Sequence, residues 1–308
     1  MRTGDRKLVS FRPTRLIRCI RFRWSKATAP PLDLYLKYSS RSGCSNSGLR
    51  TANTGLVKEE DTLEYWNRKW ALREQCLKEE SALDGSDGEL EFDRELQKRA
   101  SGKDALDVGC GPGEFTLRTA KTAKSIVGVD PSSTALGLAK RNLAKSGIKN
   151  ATFRYGDVKR LPFPNETFDL VYSRRGPASV SKHNLTEVIR VLRNGGTFME
   201  ITIGERDKQN LAEIFGRGQM RGFRGQVSAV KKRWLADVGF RKAVSRDYVG
   251  TEVFRSLDDL VIRLTTAPII PSFDAKKDAM YLKEVEKRCG TERGIETPVH
   301  RVVLVARK

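Results

Sequence analysis

The stretch "DALDVGCGPGEF", residues 104–115, decides the fold of this chain. It begins as a short apolar strand and runs directly into Gly109, Gly111 and Gly113 at alternating positions. Glycine lets the backbone turn sharply from a strand into a helix and pass close beneath a ligand. The spacing differs from the G-x-G-x-x-G of dinucleotide sites, and the Lys-Ser/Thr pair of nucleotide-triphosphate loops is missing. The stretch therefore predicts a strand, a ligand-binding loop and a helix, without a phosphate clamp.

Strands and helices alternate downstream of this loop. Further strands are predicted in "SIVGVD" (125–130), "ATFRYGD" (151–157), "FDLVYS" (168–173) and "TFMEITI" (197–203), and helices in "STALGLAKRNLAKSG" (133–147) and "NLTEVIRVLRNGG" (184–196). Regular alternation of this kind predicts a Rossmann-like, doubly wound α/β sheet with helices on both faces. Ligands of such sheets bind outside the carboxyl ends of the strands.

Acidic residues occur in or after three successive strands. Asp107 lies in the first strand, Asp130 ends the second and Asp157 ends the third. A carboxylate at the second position can accept hydrogen bonds from two ribose hydroxyls, and one at the third can accept from an exocyclic amine. A lone acid at a strand end is often only a helix cap, a role that Asp130 could also have before Pro131. Together with the glycine loop, the three acids indicate a ligand site that none of them indicates alone.

Four segments resemble the class I S-adenosylmethionine-dependent methyltransferases, in particular the type 11 methyltransferase group. They are "LDVGCGPGEFT", "VGVDPS", "GDVKRLPFPNETFDLVYS" and "VLRNGGTFMEI", and the resemblance covers about residues 100–205. The "SRRGP" at 173–177 is similar to a bacterial subset of that group. The resemblance implies S-adenosyl-L-methionine as the cofactor. It also implies a seven-stranded, mostly parallel sheet with an antiparallel C-terminal strand.

The same resemblance implies where the cofactor is held. The methionine part would lie on Asp107 and residues 109–113, the ribose on Asp130 and the adenine on Asp157. The complete set of cofactor-binding residues predicted in this way is Asp107, Gly109, Cys110, Gly111, Gly113, Asp130, Pro131, Asp157, Val158 and Ser173.

The C-terminal part of the chain is predicted to complete the sheet with an antiparallel pair. "VSRDYVGTEVF" (244–254) and "HRVVLVARK" (300–308) are suitable strands, and helical inserts are expected between them at about 256–288.

Two methyltransferase chemistries are disfavoured. Enzymes that methylate the amino groups of adenine or glutamine resemble each other in an Asn/Asp-Pro-Pro-aromatic turn, where this chain has "SRRGP" (173–177). Methylation of a cytosine carbon needs a cysteine nucleophile near the fourth or fifth strand. Cys110 lies in the glycine loop instead, where a small buried residue is expected.

The segment "FDLVYSRRGP", residues 168–177, ends a predicted strand in two positive charges, Arg174 and Arg175. The acceptor must lie near this end of the strand if the implied cofactor binds beside it. Because side chains alternate along a strand, one guanidinium could face the pocket and clamp an anionic group in a planar, bidentate mode. The alternative is a salt bridge to an acid such as Asp169 or Glu200.

Methyl transfer from a sulfonium is an in-line displacement, so catalysis can be mostly positioning. A general base is needed only if the acceptor must lose a proton. The candidates are His183, Tyr172 and Glu200. A capping or surface role is the alternative for His183, which opens the helix after the fourth strand. Arg174, Arg175 and His183 are therefore predicted as substrate-positioning or catalytic residues.

Three functions are compatible with these motifs. The first is methyl transfer to a small-molecule acceptor, with an anionic acceptor suggested by the arginines. The second is an organellar RNA or ribosome-associated methyltransferase, in which the basic segment 216–234 would track phosphates. A solvated face or a lid explains that segment equally well. The third is a non-catalytic scaffold that binds the cofactor, which the intact glycine loop and the three acids count against. We rank them in this order.

The formal net charge of +20 over 308 residues is unevenly spread. Residues 1–56 hold 12 Lys/Arg and 2 Asp/Glu, a net of +10 in less than a fifth of the chain. An Arg-rich, Ser-rich, acid-poor segment is typical of an organelle transit peptide, and the alternative is a disordered basic arm. The sequence therefore predicts import into a mitochondrion or a plastid, and a cytoplasmic protein otherwise.

The remaining residues divide into a helical extension, 57–101, and a methyltransferase domain, 102–308. Trp66 and Trp70 lie one turn apart in the extension. They could line a substrate entrance, but we favour a role in docking this helix onto the domain.

Several classes of site and partner are not expected. The five cysteines are odd in number and widely spaced, which argues against a disulfide framework. With only two histidines no metal site is expected either. No run of about 18 apolar residues exists to span a membrane. None of these motifs defines an oligomeric state.

Overall fold

The computed structural model describes residues 63–75 and 80–308, which form one mixed β-sheet with helices on both faces. The strands of this part are β1 (Ser81–Gly85), β2 (Asp104–Val108), β3 (Ser125–Asp130), β4 (Ala151–Tyr155), β5 (Phe168–Arg174), β6 (Leu192–Ile203), β7 (Lys242–Phe254), β8 (Gly290–Thr291) and β9 (Gly294–Arg307). The predicted transit peptide, 1–56, lies outside the described residues and stays a prediction from composition.

The helices alternate with these strands. They are α1 (Leu63–Gln75), α2 (Glu89–Ala100), α3 (Glu114–Ala120), α4 (Ser133–Ser146), α5 (Lys182–Val191), α6 (Gln209–Ile214), α7 (Val227–Asp237), α8 (Leu257–Thr266) and α9 (Ala279–Cys289). No helix in the described part of the chain combines the length and apolar character that a bilayer crossing requires.

The strand order is β1-β7-β9-β6-β5-β2-β3-β4, and the two-residue β8 pairs with β9. Strands β2 to β6 are mutually parallel, whereas β9 is antiparallel to both β6 and β7. The predicted Rossmann-like, mostly parallel sheet with an antiparallel C-terminal strand is confirmed. The carboxyl ends of β2 to β6 lie along one edge of the sheet, which we call the carboxyl edge. The first half of β9 reaches the same edge because this strand runs the other way.

The strand count differs from the prediction, since the described residues form nine strands instead of seven. The additional strands are β1 and β8. All five residues of β1 are exposed. Strand β1 is held by antiparallel pairing with β7, from Ser81 opposite Phe254 to Gly85 opposite Gly250. The segment 57–101, predicted to be helical, therefore also contributes an edge strand.

Alternation along the strands divides the core into two layers. Val171 faces the layer packed against α5 and α7, whereas its neighbours Leu170 and Tyr172 face the layer packed against α2, α3 and α4. All three side chains are fully buried. Because successive strand residues point to opposite faces, one apolar strand contributes to both layers. The polar groups that follow these strands are thereby brought to the carboxyl edge.

Candidate functional site

The glycine loop joins β2 to α3 in a conformation that favours glycine. Gly109, Gly111 and Gly113 have φ angles of 78°, 52° and 79°. A Cβ on Gly109 would lie 2.6 Å from Cδ of Pro177, and one on Gly111 would lie 2.8 Å from the Trp70 ring. Side chains at these positions would therefore strain the backbone and clash with their neighbours.

The loop is also fastened to the end of β3. The backbone N–H groups of Gly109 and Cys110 both donate to the carbonyl oxygen of Val129, at 2.9 and 3.0 Å. Burial raises the pKa of the Cys110 thiol, so this side chain is a neutral, inert part of the loop. Its predicted role as a small buried residue agrees with this position.

Asp130 connects the glycine loop to the helix that follows β3. Its Oδ2 accepts from the N–H of Gly111 at 3.0 Å, and its Oδ1 accepts from the N–H of Ser132 at 2.8 Å. The residue is 7% exposed, and burial raises its pKa. The cap of α4 is Ser132, which accepts from the N–H of Ala135. Each oxygen of a carboxylate has a second lone pair, so Asp130 can also accept from ligand hydroxyls.

Asp107 lies behind the loop, in contact with two interior hydroxyls. Its Oδ2 accepts from Thr116 Oγ1 at 2.7 Å and from the Tyr172 hydroxyl at 2.9 Å. The carboxyl is 2% exposed, and burial is the main cause that raises its pKa to about 6. Tyr172 was a candidate base, but it is fully buried, and burial raises its pKa well above the ordinary value. The structure thus uses this tyrosine to hold Asp107.

The ionisation of Asp107 is expected to make the fold less stable as the pH rises. Its pKa of about 6 in the folded chain lies above the ordinary aspartate value of 3.8. Its stabilisation is therefore complete below the unfolded-state pKa and is lost as the pH rises through the folded-state value. Urea titrations should show that the advantage of the wild type over Asp107→Asn is larger at about pH 5 than at about pH 8. A constant difference would contradict this assignment.

The remaining residues predicted to bind the cofactor lie around this centre. Asp157 follows β4, is half-buried and accepts from the N–H of Lys159 at 2.9 Å. Val158 is buried in the layer packed against α5 and α7, and Pro131 is half-buried between Asp130 and the cap of α4. Ser173 is fully buried, and its hydroxyl donates to the carbonyl of Val108 at 2.8 Å. This bond joins the ends of β2 and β5 directly below the glycine loop.

Helix α1 lies across this region, a position that the sequence did not indicate. Asn67 Oδ1 accepts from Ser132 Oγ at 2.6 Å, next to the start of α4. On the other side, Lys69 Nζ donates to the carbonyl of Thr265 in α8 at 2.6 Å. The Trp70 ring lies against Gly111. Trp70 therefore docks α1 onto the domain, as expected, and also covers the glycine loop.

Both arginines of "SRRGP" contact Glu89, the first residue of α2. Arg174 Nε donates to Glu89 Oε2 at 2.6 Å, and its guanidinium lies 3.7 Å from the ring centroid of Phe115. Arg175 Nε lies 3.3 Å from Glu89 Oε1. Strand alternation predicted opposite directions, but β5 ends at Arg174, and Arg175 has a φ of 53°. The left-handed residue turns the chain, so both side chains reach the same carboxylate.

The acids considered as alternative partners of these arginines have other contacts. Asp169, at the opposite end of β5, pairs with Arg193 at 3.0 Å. Glu200 is fully buried and accepts from the hydroxyl of Ser179, whose carbonyl accepts from Lys231 Nζ at 2.5 Å. The alternative of a salt bridge to an acid therefore agrees with the structure, but the acid is Glu89 and not Asp169 or Glu200, which were named as examples. Glu89 was missed because it is 85 residues away from Arg174 in the chain.

His183 lies in the first turn of α5 and is exposed. Its Nε2 lies 3.0 Å from the carbonyl oxygen of Lys159, in the turn after β4. The cap of α5 is Ser181, which accepts from the N–H of Asn184. The structure thus places His183 at the surface beside Asp157, with no contact to Arg174 or Arg175 among its described interactions.

The basic segment 216–234 is divided between interior and surface. Arg217 pairs with Asp278 at 2.7 Å, and Lys231 lies 4.0 Å from Glu200. Burial lowers the pKa of Lys231. The exposed basic residues of the segment are Arg221, Arg224, Lys232 and Arg233. Part of this segment therefore packs against the region behind β5 and β6, and the rest is exposed. Across residues 63–75 and 80–308, no three His, Cys, Asp or Glu side chains are grouped to hold a metal ion.

Comparison with known proteins agrees with the geometry of this site. Residues 105–196 match the family model described as a methyltransferase domain. The chain is 38% identical over 105 residues to a demethylmenaquinone methyltransferase of Symbiobacterium thermophilum, covering 32% of this chain and 41% of the relative. It is 37% identical over 101 residues to the uncharacterized methyltransferase C1B3.06c of Schizosaccharomyces pombe, covering 30% of this chain and 36% of the relative. The chain thus spans less than half the length of these relatives.

Solved structures share the fold. The YcgJ protein of Bacillus subtilis has a TM-score of 0.54 at 18% identity, over 71% of this chain and 98% of that protein. The [4+2]-cyclase SpnF has the same TM-score and identity, over 80% of this chain and 94% of that protein. The fold is thus shared with a protein described as a cyclase, so the fold alone does not define the reaction.

Proposed function

We propose that this chain is a class I S-adenosylmethionine-dependent methyltransferase that transfers a methyl group from S-adenosylmethionine to a small-molecule acceptor, because residues 105–196 match a methyltransferase domain. The single observation that supports this most strongly is the bond between Asp130 Oδ2 and the N–H of Gly111. It joins an acid at the end of β3 to a glycine loop at the end of β2. A ligand made of a nucleoside and a flexible chain needs two neighbouring binding elements of this kind, an acid for the nucleoside and a loop for the chain.

The residues present fit this cofactor. The glycine loop offers a backbone without Cβ atoms, and the carboxylate of Asp130 keeps lone pairs for ribose hydroxyls. Asp157 follows the adjacent strand β4, at the place expected for the adenine. When bound, S-adenosylmethionine supplies an activated methyl group on a positively charged sulfur. The protein's task is then to hold the two reactants in line and to exclude water.

A small anionic acceptor is favoured over RNA. Arg175 follows β5 at the carboxyl edge, and its side chain keeps 30% of its surface exposed. A partly exposed guanidinium at this place can bind an acidic group of the acceptor. In the basic segment 216–234, Arg217 and Lys231 make internal contacts, so fewer of its charges are available at the surface to contact RNA phosphates. A general base among the described residues is not required if the acceptor loses its proton easily or carries none.

Replacement of Asp130 tests the proposal. Asp130→Ala removes a charged acceptor, so the affinity for S-adenosylmethionine should fall by about 1–3 kcal/mol, roughly 5- to 150-fold in Kd. Isothermal calorimetry would measure it, and Asp130→Asn, which keeps one acceptor oxygen, should lose less. The matched control is Asp169→Ala, at the other end of β5, which should bind like the wild type. Unchanged affinity in folded Asp130→Ala would remove this residue from the site.

The class of acceptor is open to direct measurement. Cell or organelle extracts would be incubated with the protein and S-adenosylmethionine tritiated in its methyl group, and then separated into lipid, RNA, protein and small molecules. The proposal expects the label among the small molecules. Label in RNA would support the second function, and no transfer to any fraction, despite cofactor binding, would support a scaffold.

A further inference from the structure

Five cationic and three acidic side chains gather at the carboxyl edge beside β5. We call this set the arginine cluster; it consists of Arg174, Arg175, Lys208, Arg263 and Arg301 with Glu89, Asp207 and Glu252. Its members come from β5 and the residue after it, the loop before α6, the helices α2 and α8, and the strands β7 and β9.

Each acid in the cluster is already engaged by at least one cation. Glu252 receives Lys208 Nζ at 2.7 Å on one oxygen and Arg263 Nη2 at 2.9 Å on the other. Asp207 receives Arg301 Nη1, and it also accepts from the side-chain amide of Gln219. These donors therefore already occupy the carboxylates of Glu252 and Asp207.

Two further acids of this edge contact a histidine instead. Asp247 Oδ1 lies 3.0 Å from Nε2 of the buried His300, and Glu205 Oε2 lies 3.8 Å from its Nδ1. Glu205 also accepts from the N–H of Val227. Neither acid has a described ion pair with an arginine or lysine of the cluster.

Arg175 is the least well paired member of the cluster. Arg174 holds the shared Glu89 at 2.6 Å, whereas Arg175 is 3.3 Å away. Burial is the main cause that lowers the pKa of Arg175 to about 10, and the like charges of Arg174, Arg301 and Arg263 act in the same direction. A guanidinium among three other guanidinium groups would be stabilised by an additional anion.

Arg301 supplies a buried donor at the base of the cluster. The residue is 7% exposed, and its buried Nε has no hydrogen-bond partner among the residues that the structure describes. Buried donors are normally paired, because an unpaired one costs about 1–3 kcal/mol. By contrast, Arg174 and Arg175 keep 21% and 30% of their side-chain surface exposed. The cluster therefore has a buried base and a rim that is open to solvent.

We propose that the arginine cluster binds an oxyanion of the acceptor, a phosphate monoester or a pair of carboxylates, with Arg175, Arg263 and Arg301 around it. This inference rests on the proposed function, since it concerns the acceptor of the same site. Arg175 is only loosely paired and Arg301 has a buried free donor, and guanidinium groups match the planar geometry of an oxyanion's oxygens. The neighbouring Ser173, bonded to the carbonyl that precedes the glycine loop, connects the cluster to the cofactor region.

Chemical protection of the arginines tests this inference. The full chain would be treated with phenylglyoxal, which modifies accessible guanidinium groups, in chloride, inorganic phosphate or succinate at equal ionic strength. Peptide mass spectrometry would measure labelling at each arginine. The internal control is Arg293, an exposed arginine that bridges Asp84 and Glu296. We expect phosphate or succinate to reduce the labelling of Arg175 and Arg263 several-fold and to leave Arg293 unchanged.

The pattern of labelling distinguishes the possible anions, and together with the cofactor affinity it distinguishes this inference from the proposed methyl transfer. Protection by phosphate alone indicates an acceptor that carries a phosphate. Protection by succinate alone indicates a dicarboxylate acceptor, and protection by both anions indicates a general oxyanion site. Absent protection, or equal protection at Arg293, would overturn the inference. The affinity for S-adenosylmethionine would be measured on the same samples. Cofactor binding without protection refutes only the anion site, and protection without cofactor binding refutes only the proposed methyl transfer.

A variant at Arg175 tests its part in the anion site without disturbing the fold. The variant Arg175→Gln should keep its unfolding midpoint and its cofactor affinity, while Arg263 loses its protection by the anion. Because Arg263 also pairs with Glu252, its own replacement could destabilise the fold and would be less informative. If Arg263 stays fully protected in Arg175→Gln, then Arg175 is not part of the anion site.

Discussion

Replacing Glu252 by alanine is expected to lower the free energy of unfolding by about 3–5 kcal/mol. The substitution removes the acidic partner of a buried ion pair and leaves the basic partner buried without it. Glu252 lies on β7 and is 9% exposed. Its partner Lys208 is 2% exposed, and burial lowers the pKa of this ammonium group against the opposing effect of Glu252. Without the carboxylate, Lys208 and Arg263 would be left without their common counter-ion. Urea denaturation at neutral pH would measure the loss.

Two control variants make this prediction specific. Glu252→Gln keeps the size and one acceptor oxygen but removes the charge, so its loss should be intermediate. Glu80→Ala breaks a pair with Arg255 that is exposed on both sides, and it should leave the unfolding midpoint unchanged within error. A Glu252→Ala variant as stable as Glu80→Ala would show that Lys208 is solvated or uncharged in the folded chain.

Replacing Gly109 by alanine is expected to destabilise the fold by roughly 2–5 kcal/mol and to abolish measurable cofactor binding. A left-handed conformation costs an alanine about 1–2 kcal/mol, and overpacking adds about 1–3 kcal/mol. Gly109 has a φ of 78°, and its Cβ would lie 2.6 Å from the rigid ring of Pro177. The neighbouring loop must then shift, which moves the N–H of Gly111 away from Asp130. Thermal unfolding and calorimetry with S-adenosylmethionine would measure both effects.

The chain offers a matched glycine for comparison. Gly137 lies in α4, and a Cβ there would meet nothing within 4 Å. Gly137→Ala should therefore be neutral or stabilise the helix by up to about 1 kcal/mol, with unchanged cofactor affinity. If the two alanine variants behave alike, the loop tolerates a side chain at Gly109, and its glycine is not required by the backbone conformation.

Much of the cofactor half of the molecule could be predicted from the sequence. The strand, the glycine loop and the helix over residues 104–120 are local features, since apolar runs and glycines act on the backbone at their own positions. The alternation of the following elements then places Asp130 and Asp157 at one edge, because parallel strands share their carboxyl ends. Each step needs only neighbours along the chain and a general rule of sheet topology.

The edge strand β1 could not be predicted in this way. Its residues, Ser81–Gly85, are all exposed, so no apolar alternation marks them. The strand forms because the backbone of β7 offers unpaired hydrogen-bonding groups that are about 170 residues away in the chain. Burial of side chains contributes little to the stability of such a strand. A hydrophobic pattern in the sequence indicates burial, so it does not reveal β1.

The sequence by itself determined the Rossmann-like α/β class and the residues that form the glycine loop and the acidic strand ends. Only the tertiary structure decided which charges meet: Arg174 and Arg175 both with Glu89, Lys231 with Ser179 and Glu200, and Arg301 with Asp207. The physical reason lies in the range of the forces. Backbone propensity and apolar periodicity act between neighbours in the chain, whereas an ion pair depends on the distance and burial of two groups that folding brings together.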